Sequence, residues 1–147
     1  MKIAPSFYGI SLVPKQYWRH YGHALLTIAG SDGDVSDPEL EWLTIELGKA
    51  VGVDEEIIAD WEEFPYEEGN LKEIFNKIDL SSIASFNKLL IYDAIRMSSA
   101  DHDYADEERE KVAEAAALLK VSRESVIAIE SLIEMEEATE KLRTLIL

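Results

Sequence analysis

A chain of 147 residues with 47% hydrophobic side chains is long enough for one domain with a real core, and too short for two independent ones. Its 30 acidic against 14 basic residues leave a formal charge of −16, which repels nucleic acid and anionic membrane and favours cations or basic protein patches. The absence of cysteine removes disulfides, thiolate metal sites and cysteine nucleophiles together.

The opening stretch MKIAPSFYGISLVPKQYW has no apolar core of the signal-peptide kind, and no run approaches the roughly 18 apolar residues of a spanning helix. A cytoplasmic protein without direct membrane insertion is expected, meeting the inner face of the membrane only through a partner. Pro5, Gly9 and Pro14 predict an irregular lead-in over residues 1–14 of a single domain, 1–147. Trp18, Tyr21, Leu25 and Ile28 then recur at helical spacing, ending near Gly30. A second helix starts around Ser36, where Ser36 and Glu39 have capping-box spacing and Pro38 suits a first turn. Leu40, Leu43, Leu47 and Val51 form its apolar stripe before Gly52 stops it.

A short helix follows in VDEEIIADWEEF, and FPYEEGN (residues 64–70) predicts a hinge between halves. Further helices are expected over LKEIFNKI, from about Ser81 to Ser98, from Asp106 or Glu107 to Leu119, and from about Arg123 onward. In the last, Val126, Ile129, Ile133, Leu142 and Ile146 suit a core helix or a homodimer contact. No segment shows sustained period-two alternation, so the expected class is all-α, a compact bundle of seven or eight helices.

The chain also repeats itself. Asp32, Asp34, Asp37 and Glu39 match Asp101, Asp103, Asp106 and Glu108 at constant offset, preceded by Ile28 and Met97. An apolar helix follows each motif, then AVGVDEEII in one copy and LLKVSRESV in the other, with one residue of slippage. A helix pair used twice, burying its apolar faces against its copy, accounts for the pattern.

The D-x-D loops fail as EF-hands. Counted from Asp32, position six is Asp37 instead of glycine and position twelve is Leu43 instead of glutamate; counted from Asp101, these are Asp106 and Val112. A looser carboxylate site for Ca²⁺, Mg²⁺, Mn²⁺ or Zn²⁺ remains, drawn from Asp32, Asp34, Glu39, Asp101, Asp103 and Glu108. Aspartates capping helices and facing water are the competing account. His20 and His23, three apart on a helix, and His102 in the second loop are weaker candidate ligands, with ordinary hydrogen-bonded histidines as the alternative.

Nothing points to catalysis. There is no G-x-S-x-G elbow, phosphate-cradling glycine loop or H-E-x-x-H pair, so a hidden metal-dependent hydrolase stands last among the readings. Residues 32–68 carry 14 acidic side chains and only Lys49 as a base, which suits a solvated face or a docking surface for a basic partner. Trp61, Phe64 and Tyr66 within it suit either core filling or an interface anchor.

ALLTIAGSDGDVSDPELEWL followed by KAVGVDEEII resembles the TerB-like family, tellurite-resistance-associated helical domains also found in the N-terminal part of some membrane-bound DnaJ-type co-chaperones. Ala29, Asp32, Gly33, Val35, Ser36 and Glu39 carry the first motif, with Gly52, Val53 and Asp54 as the hinge; Ala100, Asp101, Asp103, Asp106, Glu107 and Glu108 carry the second. The second motif departs from the family pattern at His102, where glycine is usual, and at Ala105, where the first copy has serine. The resemblance implies an all-helical domain with two related halves. It further implies a non-enzymatic adaptor, with or without a divalent cation at its acidic residues, in a membrane-associated stress or metal-resistance complex.

Overall fold

A computed structural model describes residues 7–83 and 85–147. Among the described residues seven helices follow one another: α1 (Trp18–Ala29); α2, which runs from Asp37–Glu41 through a π turn at Trp42–Leu47 into Gly48–Val51; α3 (Glu55–Glu63); α4 (Leu71–Asn76); α5 (Phe86–Ser98); α6 (Asp106–Leu118); and α7 (Arg123–Ile146). Short 3₁₀ turns link them, and no strand occurs among the described residues. The first six residues, including Pro5, lie outside the description; from Gly9 the predicted lead-in consists of 3₁₀ turns at Gly9–Leu12 and Lys15–Tyr17.

Helices α1 and α5 pack together at the centre, burying Tyr21, Leu25 and Ile28 of one with Leu90, Ile91 and Met97 of the other. These are the corresponding helices of the two repeats, and the second helix of each repeat, α2 and α6, also packs against the pair. Ridges of apolar side chains at helical spacing exclude water on several sides of α1. Asp93 ties the N-terminal segment to this core. This carboxylate, fully buried on α5, accepts Gly9 N–H at Oδ1 (2.9 Å), Ile10 N–H at Oδ2 (2.9 Å) and the Tyr21 hydroxyl at Oδ2 (2.9 Å).

The slippage between repeats has a physical form. Thirteen residues separate Glu39 from Gly52 and twelve separate Glu108 from Lys120, and the first copy takes up its additional residue in the π turn at Trp42–Leu47. Both copies then end alike. Gly52 (φ 80°) and Lys120 (φ 59°) are left-handed, and Val53 N–H and Val121 N–H reach back to the carbonyls of Gly48 (2.9 Å) and Ala116 (2.8 Å), the Schellman arrangement.

Two expectations are corrected. Residues 64–70 are no open hinge, because Tyr66 packs on Gly30 and Gly69 on Thr27, places where a glycine Cβ would collide. The helix expected from Ser81 begins at Phe86, because Ser85 is left-handed at φ 62° and cannot continue a right-handed turn into it. Trp61 and Phe64 fill the core side: Trp61 is buried and Phe64 half-buried.

Gly22 brings α1 against α3. Trp61 lies across it and donates its indole N–H to the Arg19 carbonyl (3.2 Å), and a Cβ at Gly22 would stand inside the ring. Alanine favours helix by about 1 kcal/mol over glycine, yet displacing a buried indole costs about 1–3 kcal/mol. Gly22→Ala is therefore expected to lower the thermal midpoint despite its better helix propensity; a raised midpoint would contradict this packing.

Candidate functional site

The acidic loops take the same shape in both repeats. After α1, a 3₁₀ turn at Gly30–Asp32 leads into Gly33 at φ 100°; after α5, the chain turns through His102 at φ 64°. Glycine enters this region freely, whereas histidine does so at a cost, so the sequence departure at His102 is accommodated as local strain. Asp32 Oδ1 accepts Asp34 N–H (3.1 Å), and Asp101 Oδ1 accepts Asp103 N–H (3.0 Å), the same side-chain turn twice.

Each loop ends on a glutamate at the third position of the following helix. Glu39 Oε1 accepts Ser36 N–H (2.9 Å), with Ser36 Oγ accepting Glu39 N–H in return (3.3 Å). Glu108 Oε1 accepts Ala105 N–H (2.9 Å), and the return half is missing because alanine has no side-chain oxygen. Capping glutamates are usually solvated, but Glu39 and Glu108 are 1% and 0% exposed. Packing of the Gly30–Asp32 turn on α6, with Ser31 Oγ donating to the Glu107 carbonyl (3.1 Å), joins the two loops and brings the two carboxyls together.

Their remaining oxygens, Oε2 of each, are buried and meet no donor from elsewhere among the described residues. The two carboxyls lie close enough to act on each other, and two buried carboxyls side by side favour one of them keeping a proton. Burial, then the Glu39 carboxyl, push Glu108 up to about 9. Burial also raises Glu39, and the rim aspartates add to both: Asp101 raises Glu39 and Asp32 raises Glu108. At neutral pH Glu108 therefore holds a proton, the usual outcome when two carboxyls occupy one dry space.

Of the candidate ligands, the structure thus brings together Glu39 and Glu108, with Asp32 and Asp101 near them. Asp34 and Asp103 are exposed beside the loops, contributing backbone N–H groups to the turns. Among the described residues no three acidic or histidine side chains stand ready as a metal cluster, so the assembled feature is a pair with aspartates at its rim. His102 is exposed. His23 instead hydrogen-bonds Asp60 (2.6 Å), which also pairs with Arg19 (2.9 Å), and its ring stacks on Phe64 at 4.0 Å. His20 lies against His23, and burial lowers both histidines, leaving them neutral at neutral pH. A zinc set of His20 or His23 with Asp101 and His102 is not assembled, because α3 supplies His23 with its partner.

Asp93 was not singled out from sequence. Its signal was nonetheless present as a lone acid within the apolar run KLLIYDAIRM.

No family model matches the sequence, and no curated protein matches it either. Among solved structures, a tellurite resistance protein from Nostoc punctiforme superposes with a TM-score of 0.73, at 27% identity over 90% of this chain and 81% of that one. The chain's fold is that of a TerB-like tellurite resistance protein. The expectation of an all-helical, tellurite-resistance-type fold therefore holds. No helix among the described residues of this TerB-like domain is long and apolar enough to cross a membrane.

Proposed function

We propose that this TerB-like domain is a non-enzymatic adaptor in a stress or metal-resistance complex, and that a divalent cation held between its two repeats sets its docking state. The observation that carries the proposal is the pair of buried, otherwise partnerless Oε2 atoms on Glu39 and Glu108. A proton satisfies them weakly at neutral pH. A small hard cation would satisfy both oxygens at once, with Asp32 and Asp101 completing the charge and water filling the remaining positions. All the donors are oxygens, which favours Mg²⁺, Mn²⁺ or Ca²⁺ over a thiophilic ion. The formal charge of −16 raises the local concentration of any cation, and the acidic 32–68 region offers the surface for a basic protein partner.

Exchange of the Glu108 proton for the ion makes the prediction specific. Calorimetric titration of metal-free protein at pH 7 in buffers of different ionisation enthalpy should give one ion bound and about one proton released. Glu39→Gln and Glu108→Gln should abolish the heat, Asp32→Asn and Asp101→Asn should weaken binding roughly tenfold, about 1.4 kcal/mol, and Asp34→Asn should leave it unchanged. Absence of both heat and thermal shift at millimolar ion would defeat the cation reading and leave a metal-free docking domain.

A further inference from the structure

Helix α7 has two apolar sides. Val126, Ile129 and Ile133 turn inward onto the core, with Ile133 buried. On the opposite side Leu132, Met135, Leu142, Leu145 and Ile146 are between 48% and 76% exposed. From Glu134 onward every residue except Glu136 is exposed, so the last turns of the helix reach beyond the body of the domain. A solvated helical end would ordinarily be polar all round, and this one keeps an unpartnered apolar stripe.

The stripe has coiled-coil spacing. Leu132, Met135, Thr139, Leu142 and Ile146 follow one another at intervals of three and four, the seam of a left-handed helix pair. Its flanks carry unusual information. One flank holds Glu136 and Arg143, a heptad apart and opposite in sign, while the other holds uncharged Ala138 and Leu145. The remaining charges of this stretch, Glu134, Glu137, Glu140 and Lys141, point towards the back of the helix by the 100° rotation per residue.

This pattern is complementary to itself in one orientation only. In an antiparallel pair equivalent flanks meet, so Glu136 faces Arg143 of the second copy and the two-fold axis generates the same contact again. The register that does this also sets Met135 against Ile146 of the second copy, Thr139 against Leu142, and Ala138 against Leu145. A parallel pair would place Glu136 and Arg143 opposite the uncharged flank and leave both unmatched. Glu136 is already held in place, since Tyr92 donates its hydroxyl to Oε1 (2.6 Å), leaving Oε2 for the arginine. An anionic membrane surface fits poorly, because residues 134–147 carry four glutamates against one lysine and one arginine.

We propose that the projecting half of α7 is a self-association surface, joining two copies of this chain as an antiparallel helix pair centred between Glu140 and Lys141. Sedimentation of the full chain should show a concentration-dependent dimer in the micromolar range, a weak association fitting a seam of about four turns. Leu142→Glu, at an exposed position, should weaken it at least tenfold without moving the thermal midpoint, and Met135→Glu should do the same.

The decisive measurement uses single charge reversals. Arg143→Glu and Glu136→Arg should each lose self-association, and an equimolar mixture of the two should regain it, because only the mixed antiparallel pair matches both contacts. The chain lacks cysteine, so introduced thiols report orientation directly: Thr139→Cys should cross-link to Leu142→Cys more readily than either does to itself. A monomer at every concentration overturns the proposal. So does self-cross-linking of Leu142→Cys, which indicates a parallel pair, failure of the charge-reversed mixture to associate, or flotation of the wild-type chain with phosphatidylserine vesicles through this stripe.

Discussion

Asp93→Asn is expected to destabilise the domain by about 2–4 kcal/mol, a loss of roughly 10 °C in thermal midpoint for a chain of this size. The carboxylate satisfies three donors in a fully buried position. An amide has one oxygen to offer, and its NH₂ group must then face the N–H of Gly9 or of Ile10, setting donor against donor. The loss should be local at first. Amides of Gly9 and Ile10 are expected to lose their protection from hydrogen exchange before those of α5, because the N-terminal segment is tied to the core by this side chain. Unchanged protection at Gly9 and Ile10 would show that the apolar contacts of Ile10 and Val13 hold the segment without Asp93. Tyr21→Phe should cost less, about 1 kcal/mol, since it removes one donor and leaves the carboxylate with the two backbone bonds.

The second large effect concerns the Glu108 proton. Burial raises Glu108 to about 9, so between its ordinary range near 4.5 and that value the folded protein binds one more proton than the unfolded chain. A raised carboxyl contributes fully at low pH and loses that contribution as pH rises through the folded value, here at about 1.4 kcal/mol for each pH unit. Asp93, raised by burial to about 6, acts in the same direction but is exhausted above that pH. The window from pH 7 to 9 therefore reads the glutamate pair. In metal-free protein the urea midpoint should fall across it, corresponding to on the order of 2–3 kcal/mol.

Glu108→Gln replaces the titrating donor with a permanent one. Its oxygen can still accept Ala105 N–H while its amide donates to Glu39, so the variant should be nearly flat with pH and more stable than wild type at pH 9. The same substitution removes the cation ligand, so added Mg²⁺, Mn²⁺ or Ca²⁺ should restore the wild-type protein at pH 9 and leave the variant unmoved. Parallel pH profiles for the two proteins would show that Glu108 does not hold that proton. Stability and proposed function thus pull against each other at one site, since the group that weakens the metal-free fold is the one a cation would use.

Much of this architecture is written in short stretches. Ser36 with Glu39, Asn70 with Glu73 and Ser122 with Ser125 are helix starts readable three residues at a time, and each appears as a side-chain cap. The match of Asp32 to Asp101 and of Glu39 to Glu108 predicted equivalent loops, and even the single-residue slip between repeats corresponds to a particular π turn. These features depend on contacts within one or two helical turns, where sequence spacing and spatial spacing are nearly the same. The boundary that sequence misplaced, at Ser85, was decided by a left-handed backbone, and the packing of residues 64–70 onto α1 by contacts distant in sequence.

The sequence by itself determined the helices, their caps, the repeat and the sign of the surface, because periodicity, capping chemistry and net charge are local or additive properties. Only the tertiary structure decided what the side chains meet. It paired Glu39 with Glu108 across 69 residues, gave His23 to Asp60, and aimed Asp93 at the N-terminal segment. A glutamate at the third position of a helix has the same local signature whether its second oxygen faces water or another carboxyl. Which of these it faces depends on how the helices cross, and that crossing is set by the combined packing of α1, α5 and α6.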